Sequence, residues 1–392
     1  MDNADGMRIG FIGDVYLASQ IRAPEVRQDL QGLLAACNYV VANLEAPITD
    51  IEQPIPKTGA SMKQTMAALD LLKLLNVNVV GLGNNHMGDH GDIGISDTIK
   101  KLLAAELLFG GAGLFINEVY MPVRLCGDDI TITLLFGGEN GFGCVSDQRA
   151  GECGYAWLFH SLFWNMLKNE VDNSDFVVVF AHGGVEHMHH PLPQWQSAYR
   201  QFINAGAAAV IAHHPHLTQA CEIYRGAPIF YSIGNFYFNA LSPHRYWYHS
   251  QIPVLEFKKG RAIGFENHHA RFELGGRGRI LLDDTEEGLP RTMRLSAELK
   301  SPEYPELVAA DLRNLWRTSY GPCIDVSFNA FTSIRSLRPF LQRALRSCIR
   351  GTSFSNPIML EALLVIESHR WALTETMRLM RQSDKRRIRI KK

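Results

Sequence analysis

The chain has 392 residues, with 39 Lys and Arg against 40 Asp and Glu, a formal net charge of −1. A balance this close to neutral excludes a whole-protein field that would gather nucleic acid or an anionic membrane. A hydrophobic content of 46% can build one large α/β domain and a smaller one, and no apolar run is long enough to span a bilayer.

The first seven residues are polar and acidic, without the basic region and apolar stretch of a secretory signal. The cysteines at 37, 126, 144, 153, 221, 323 and 348 form no close Cys-x-x-Cys pair, and their odd number argues against a disulfide framework. A cytoplasmic protein with reduced thiols is the expectation.

Residues 8–12 read as an apolar strand closed by Gly13-Asp14. A helical pattern over 24–36 leads to a strand from Tyr39 that runs into Asn43-Leu44-Glu45. Residues 62–75 are helical in pattern, and 77–82 form a third strand that stops at Gly83. Behind it lies a loop dense in metal-capable and proton-transferring groups: Asn84, Asn85, His86, Asp89 and His90. A helix over 95–105 completes an alternation of strand and helix that implies an at least partly parallel sheet. Residues 110–113, Gly-Gly-Ala-Gly, lack the Lys and Ser/Thr of a phosphate-cradling loop and read as a tight turn.

A β-branched strand over 130–138 enters a glycine-rich loop, 137–154, that reads as too polar for a core. A helix over 157–171 follows, with Trp157, Phe159, Phe163, Trp164 and Leu167 on its packing face. The strand 176–180 ends at His182-Gly183-Gly184-Val185-Glu186, and the helix 194–205 carries Trp195, Tyr199 and Phe202 on one stripe. The strand 207–211 ends at His213-His214-Pro215-His216, and 228–233 ends at Gly234-Asn235. Short alternating runs at 253–257, 262–265, 271–274 and 280–282 predict an antiparallel meander. A strand–helix half followed by a strand-rich half predicts two sheets packed face to face with helices outside.

Beyond residue 300 the pattern turns helical, at 304–316, 334–348 and 358–380. Arg335, Arg338, Arg343, Arg346 and Arg350 recur at near-helical spacing, and residues 384–392 form a basic run. The expected division is one domain over 1–300 and a helical, basic extension over 301–392.

Six strands thus finish in Asp, Glu, Asn or His. One such end is accounted for by a polar turn bonding its own backbone. Six are not, because each polar group left unpaired near a core costs several kcal/mol. Loops at the carboxyl ends of strands are where α/β sheets carry their chemistry. The set combines carboxylates, amide carbonyls and imidazoles without a thiolate, which suits a divalent cation. Manganese, iron, zinc and magnesium all stay open, as do one ion and two.

In order along the chain, these ends are Gly13-Asp14, Asn43-Leu44-Glu45, Asn84-Asn85-His86-x-x-Asp89-x-Gly91, His182-Gly-Gly-Val-Glu186, His213-His214-Pro215-His216 and Tyr231-Ser-Ile-Gly-Asn235-Phe236. The set resembles the poly-γ-glutamate capsule synthesis (CapA-like) family, which is similar to the calcineurin-like metallophosphoesterases. The resemblance covers about residues 8–240 and leaves 300–392 uncovered. It implies an α/β protein built as a four-layer α/β/β/α sandwich of the metallophosphoesterase type, with a helical C-terminal extension. It further implies Asp14 as a terminal metal ligand, Glu45 as the bridging carboxylate and Asn85 as the amide ligand. His182 resembles a ligand of the second ion, and His214 and His216 the closing pair. His86 stands in the place of the proton donor to the leaving group, oriented by Asp89. Asn43, Asn84, His213, Glu186 and Asn235 are expected to line the substrate side, with His213 also open as a ligand.

Two departures stand out. Tyr16 occupies the histidine position of the usual Asp-x-His, which weakens the first metal site. Gly183 replaces a frequent aromatic residue, with a wider pocket as the expectation. Capsule-family members are commonly exported or anchored, so a chain without an anchor points to a cytoplasmic intermediate as partner. The resemblance implies metal-assisted hydrolysis of an anionic small molecule or polymer, first at a phosphoester, second by hydrolysis or transfer at a γ-glutamyl amide. The alternatives are a non-catalytic factor that binds poly-γ-glutamate or another anionic capsule polymer during assembly, and a metal with a purely structural role. Substrate and oligomeric state are not legible.

Overall fold

A computed structural model of the chain describes residues 6–18, 22–147, 152–320 and 357–390. Two large β-sheets carry the architecture. The first runs, edge to edge, through Glu25–Val26, Arg279–Leu282, Gly264–Glu273, His249–Phe257, Met7–Tyr16, Tyr39–Leu44, Val79–Gly81 and Leu108–Gly110, and Asn235–Phe238 also pairs with Met7–Tyr16. It is parallel from Met7–Tyr16 to Leu108–Gly110 and antiparallel through residues 249–282. The second runs through Cys221–Tyr224, Ala227–Phe230, Ala209–His213, Phe176–His182, Thr131–Gly138 and Val123–Cys126. Its four middle strands are parallel and its edges antiparallel.

Uninterrupted apolar runs build these strands because both of their faces are buried. Val177 and Val179 face the outer helices, whereas Val178 and Phe180 face the other sheet. A core between the sheets joins Phe11, Val41 and Leu255 of the first to Phe136, Phe180 and Ile211 of the second. Outside the first sheet lie the helices Gln28–Ala35, Ala67–Leu74 and Gly91–Ala104, which contribute Leu34, Leu71 and Leu102 to a second core. Outside the second lie Ser161–Asn173, Pro193–Asn204, Leu289–Glu298 and Tyr304–Leu315. The arrangement is the four-layer α/β/β/α sandwich. Ala372 and Leu373 of the C-terminal helix Glu367–Ile390 belong to the same outer core as Phe163 and Trp195.

Some elements differ from expectation. The runs at 262–265 and 271–274 overlap the two ends of one strand, Gly264–Glu273, whose polar middle is satisfied by neighbours: Asn267 donates to Gln251 Oε1 at 2.8 Å and His269 Nε2 lies 2.9 Å from Thr292 Oγ1. The helix expected from 157 starts at Ser161, because His160 caps it by accepting from the Leu162 N–H at 3.1 Å. The described residues of the loop 137–154 do not form a solvated turn. Glu139, Asn140, Cys144, Val145 and Ser146 are buried, and Cys144–Val145 and Gly154–Ala156 form a small sheet with Ala112–Gly113. The helix expected over 334–348, with its arginines, lies outside the described residues. The five described cysteines are free thiols, and among the described residues no helix is long and apolar enough to cross a membrane.

Candidate metal centre

Close approach of the sheets at their carboxyl ends is set by glycine. A Cβ on Gly13 would sit 1.9 Å from the Gly234 carbonyl oxygen, and one on Gly83 2.6 Å from Gly137 Cα. Only hydrogen fits at either position. Just after Gly13 the strand register shifts, between Ile12 and Asp14 against Tyr39–Leu44 and between Asp14 and Val15 against Asn235–Phe238. Such a bulge re-aims a side chain. His214 (φ 104°) and His216 (φ 59°) are held in left-handed backbone around Pro215. Each such residue costs on the order of 1–3 kcal/mol, which the surrounding fold must offset.

These ends bring every candidate residue into one connected set. Asp14 Oδ1 accepts from Asn43 Nδ2 at 2.8 Å and lies 2.9 Å from His213 Nδ1, while Asp14 Oδ2 is 3.4 Å from His216 Nδ1. His182 lies at the centre. Its Nδ1 is 2.7 Å from His213 Nδ1, and its Nε2 is 2.8 Å from Asn85 Oδ1 and 2.9 Å from His214 Nδ1. Glu45 Oε1 is 3.8 Å from His182 Nε2 and 3.6 Å from His216 Nε2.

Four overlapping groups, Asp14–His182–His213, Glu45–His182–His214, Glu186–His214–His216 and Asp14–Glu45–His216, each place one potential ligand atom per residue within 4.8 Å of the others. The donor set fits a divalent cation on a second observation. Asp14 Oδ2, both oxygens of Glu45 and His213 Nε2 are buried without a hydrogen-bond partner, which is costly unless a cation satisfies them.

Electrostatics agree. Burial opposes the charge on Asp14, but His213 and His216 hold its carboxyl well below the usual range. Burial and the negative Asp14 push Glu45 well above it. Burial, with His214 and His213 beside it, keeps His182 neutral. His216 is also disfavoured as a cation by burial, yet Glu45 and Asp14 lift its pKa to about 10. These opposed shifts arise because carboxylates and imidazoles share one buried volume.

The model for the family described as "Bacterial capsule synthesis protein PGA_cap" matches residues 8–240. The chain belongs to this family. It is 28% identical over 245 residues to the "PGA biosynthesis protein CapA" of Bacillus subtilis (strain 168), a match covering 60% of this chain and 64% of the relative. It is 27% identical over 243 residues to the "Capsule biosynthesis protein CapA" of Bacillus anthracis, covering 58% of this chain and 59% of the relative. The chain thus spans less than two thirds of the length of either relative. Among solved structures, a Haemophilus influenzae NAD nucleotidase (NadN) overlaps 80% of this chain and 68% of its own at 10% identity, with a TM-score of 0.39.

Within the PGA_cap chain the supporting residues divide in a way the sequence did not show. Asn43, Asn84, Asn235 and His213, expected beside substrate, are at most 1% exposed; the three asparagines lie behind the potential ligands, and His213 is itself one of them. Asn84 Nδ2 donates to Asn43 Oδ1 at 3.1 Å and to the Leu44 carbonyl at 2.9 Å. Asn235 Oδ1 is 2.8 Å from His216 Nδ1, which leaves His216 Nε2 toward Glu45. They are buried because ligand-bearing backbone with no water access needs partners of its own. Glu186 does line the cavity, as do Asn85, His86, His214 and His216.

The cavity has a volume of about 830 Å³ and shows residues that sequence reading missed. Lys57 pairs with Asp89, and Asp89 Oδ2 lies 2.7 Å from His86 Nδ1. Glu139 Oε1 lies 3.1 Å from His214 Nε2. Lys57 sits in an irregular stretch without periodicity, and Glu139 in a loop read as solvated, so neither carried a signal. Gly183 does not widen the pocket, because the Trp195 ring occupies the space a Cβ would need, at 2.5 Å.

Proposed function

We propose that this PGA_cap chain is a metal-dependent hydrolase that acts on a phosphoester. The observation carrying this reading is that three of the four overlapping ligand groups reach, through Glu186, His214 or His216, the cavity that His86 also lines, with Asp89 behind it. Asp14, Glu45, Asn85, His182, His213, His214 and His216 would hold one or two divalent ions. A bound cation supplies a water of lowered pKa and polarises the phosphoryl oxygen.

The rest is done by the chain. Asp89 takes the Nδ1 proton of His86, so Nε2 is the nitrogen left to exchange a proton with the cavity. As the water oxygen bonds to phosphorus and the ester P–O bond breaks, the leaving oxygen would take a proton from His86 Nε2, and one proton of the attacking water would restore it. Burial holds the His86 pKa below its ordinary value, so this proton is readily given up. Glu139 and Asn235 each hold one nitrogen of His214 and His216, which fixes ring orientation and tautomer.

The test is hydrolysis of a phosphoester panel with added manganese. His86→Ala should lower kcat by roughly 10²–10⁴ while manganese stays bound. A panel inert with and without metal would remove the reading. A second reading, a non-catalytic factor in polymer assembly, is favoured by the relatives' names, which include a "Probable polyglutamine synthesis accessory protein" of Mycobacterium tuberculosis 24% identical over 210 residues. Binding of polyglutamate by a chain inert toward phosphoesters and γ-glutamyl amides alike would decide for it.

A further inference from the structure

The family match ends at residue 240, yet part of the cavity wall comes from far beyond it. Ala362, Leu363, Ile366, Ser368 and His369 all line the cavity. The Ile366 N–H bonds the Ala362 carbonyl at 3.1 Å, which puts these two residues on one helical face.

This wall is anchored directly to the metal centre. The Ser368 N–H donates to Glu139 Oε2 at 3.1 Å, and Glu139 Oε1 is the group that meets His214. The Ser368 hydroxyl lies 2.5 Å from Glu139 Oε2 and 2.6 Å from the Gly184 carbonyl, and accepts from Trp195 Nε1 at 3.2 Å. Glu367 accepts from the Asn140 N–H at 2.7 Å and from Trp157 Nε1 at 3.2 Å. A segment tied to both the ligand shell and the second sheet is a fixed part of the site.

Ala362, Leu363 and Ile366 give it an apolar face, and much of what lines the cavity with it is apolar too. Met62, Phe142, Leu241 and Trp247 share the cavity, with Trp247 packed on the His216 ring at 4.8 Å between centroids. Leu241 is 88% exposed at the rim of this lining. Lys57 is the one Lys or Arg among the described lining residues, and Asp89 already takes its charge. A substrate with one anionic group at the cage and an apolar body matches this lining. Apart from the imidazoles at the cage, the described lining residues offer a chain of repeated anions no Lys or Arg that is not already paired.

We infer that residues 362–369 form the substrate-selecting wall of the metal centre, and that the substrate is a phosphate monoester with an apolar leaving group of about aryl size. The inference rests on the proposed phosphoesterase reading for its chemistry. Water and the ester give inorganic phosphate and the free alcohol or phenol. A cavity of about 830 Å³ has room for the phosphoryl group and a ring together.

The test is calorimetric binding of two non-hydrolysable probes, phenylphosphonate and methylphosphonate, to the full manganese-loaded chain. Phenylphosphonate should bind about tenfold tighter, from burial of the ring. In Ile366→Asn that preference should fall to within about threefold, and in Ile366→Leu it should persist. Manganese content of each variant reports whether the site is intact. Equal affinities in the parent, an unchanged preference in Ile366→Asn with manganese retained, or no phosphonate binding would each overturn the inference. Selective phenylphosphonate binding by a chain that leaves phenyl phosphate intact would uphold the wall and remove the hydrolase reading instead.

Discussion

Lys57 and Asp89 form a buried ion pair at the cavity, their side chains 5% and 0% exposed. Asp89 accepts in addition from the Met62 N–H at 2.6 Å and meets His86 Nδ1. Lys57→Met should therefore do more than remove one cation. It would strand a buried carboxylate, at a cost of about 3–5 kcal/mol. Urea unfolding should show that loss, and adding Asp89→Asn to Lys57→Met should recover part of it. A Lys57→Met chain as stable as the parent would show that the pair contributes nothing.

Metal removal should be visible without any substrate. Asp14 and Glu45 are fully buried, and three of their oxygens lack a partner. A cation that binds only the folded chain stabilises it by about 2.7 kcal/mol at a concentration 100 times its Kd. Manganese returned to chelator-stripped protein should accordingly raise Tm, and Glu45→Gln should abolish most of the rise. Identical melting of stripped and loaded parent protein would rule out the cage as a cation site.

Strand ends were the legible part of this molecule, and for a physical reason. Runs such as residues 176–180 are apolar on both faces, so the first polar residue after each one marks where the sheet stops, and that is where the candidate ligands gather. His182, His214 and His216 could be found that way. Glu139 and Ser368 could not, since they meet over 229 residues of sequence and each serves the other by a hydrogen bond that no periodicity encodes. The helix Leu289–Glu298 also went unread, because it follows a polar stretch and buries only one narrow side, through Arg291, Thr292 and Leu295.

Gly183 offers a packing test. Trp195 is 1% exposed, and its ring lies where a Cβ on Gly183 would go. Tyr199 also donates to the Gly183 carbonyl at 2.6 Å, which holds the backbone in place. Gly183→Ala should cost about 1–3 kcal/mol by overpacking. Pairing it with Trp195→Phe should relieve the clash, although the indole's bond to Ser368 is then lost. Equal stability of Gly183→Ala and the parent, measured by denaturant midpoint, would mean that the ring moves freely.

The loop after Glu186 is tied to the helical layer by His190, and this tie should titrate. His190 Nδ1 lies 2.9 Å from Asp311 Oδ2 and its Nε2 3.1 Å from Glu298 Oε2. Burial opposes the imidazolium, but Asp311 and then Glu298 raise its pKa above the ordinary 6.5. A raised folded-state pKa means that the folded chain holds the proton more tightly than the unfolded one. The stabilisation is then complete below about pH 6.5 and fades as pH climbs through the folded-state value. His190→Gln should lose about 1–2 kcal/mol relative to the parent at pH 5.5, in the range of hydrogen bonds to charged groups. At pH 9 most of that difference should vanish. Because both chains carry the same candidate metal centre, any pH dependence of its own cancels in the comparison. A loss of the same size at both pH values would show that His190 acts by packing alone.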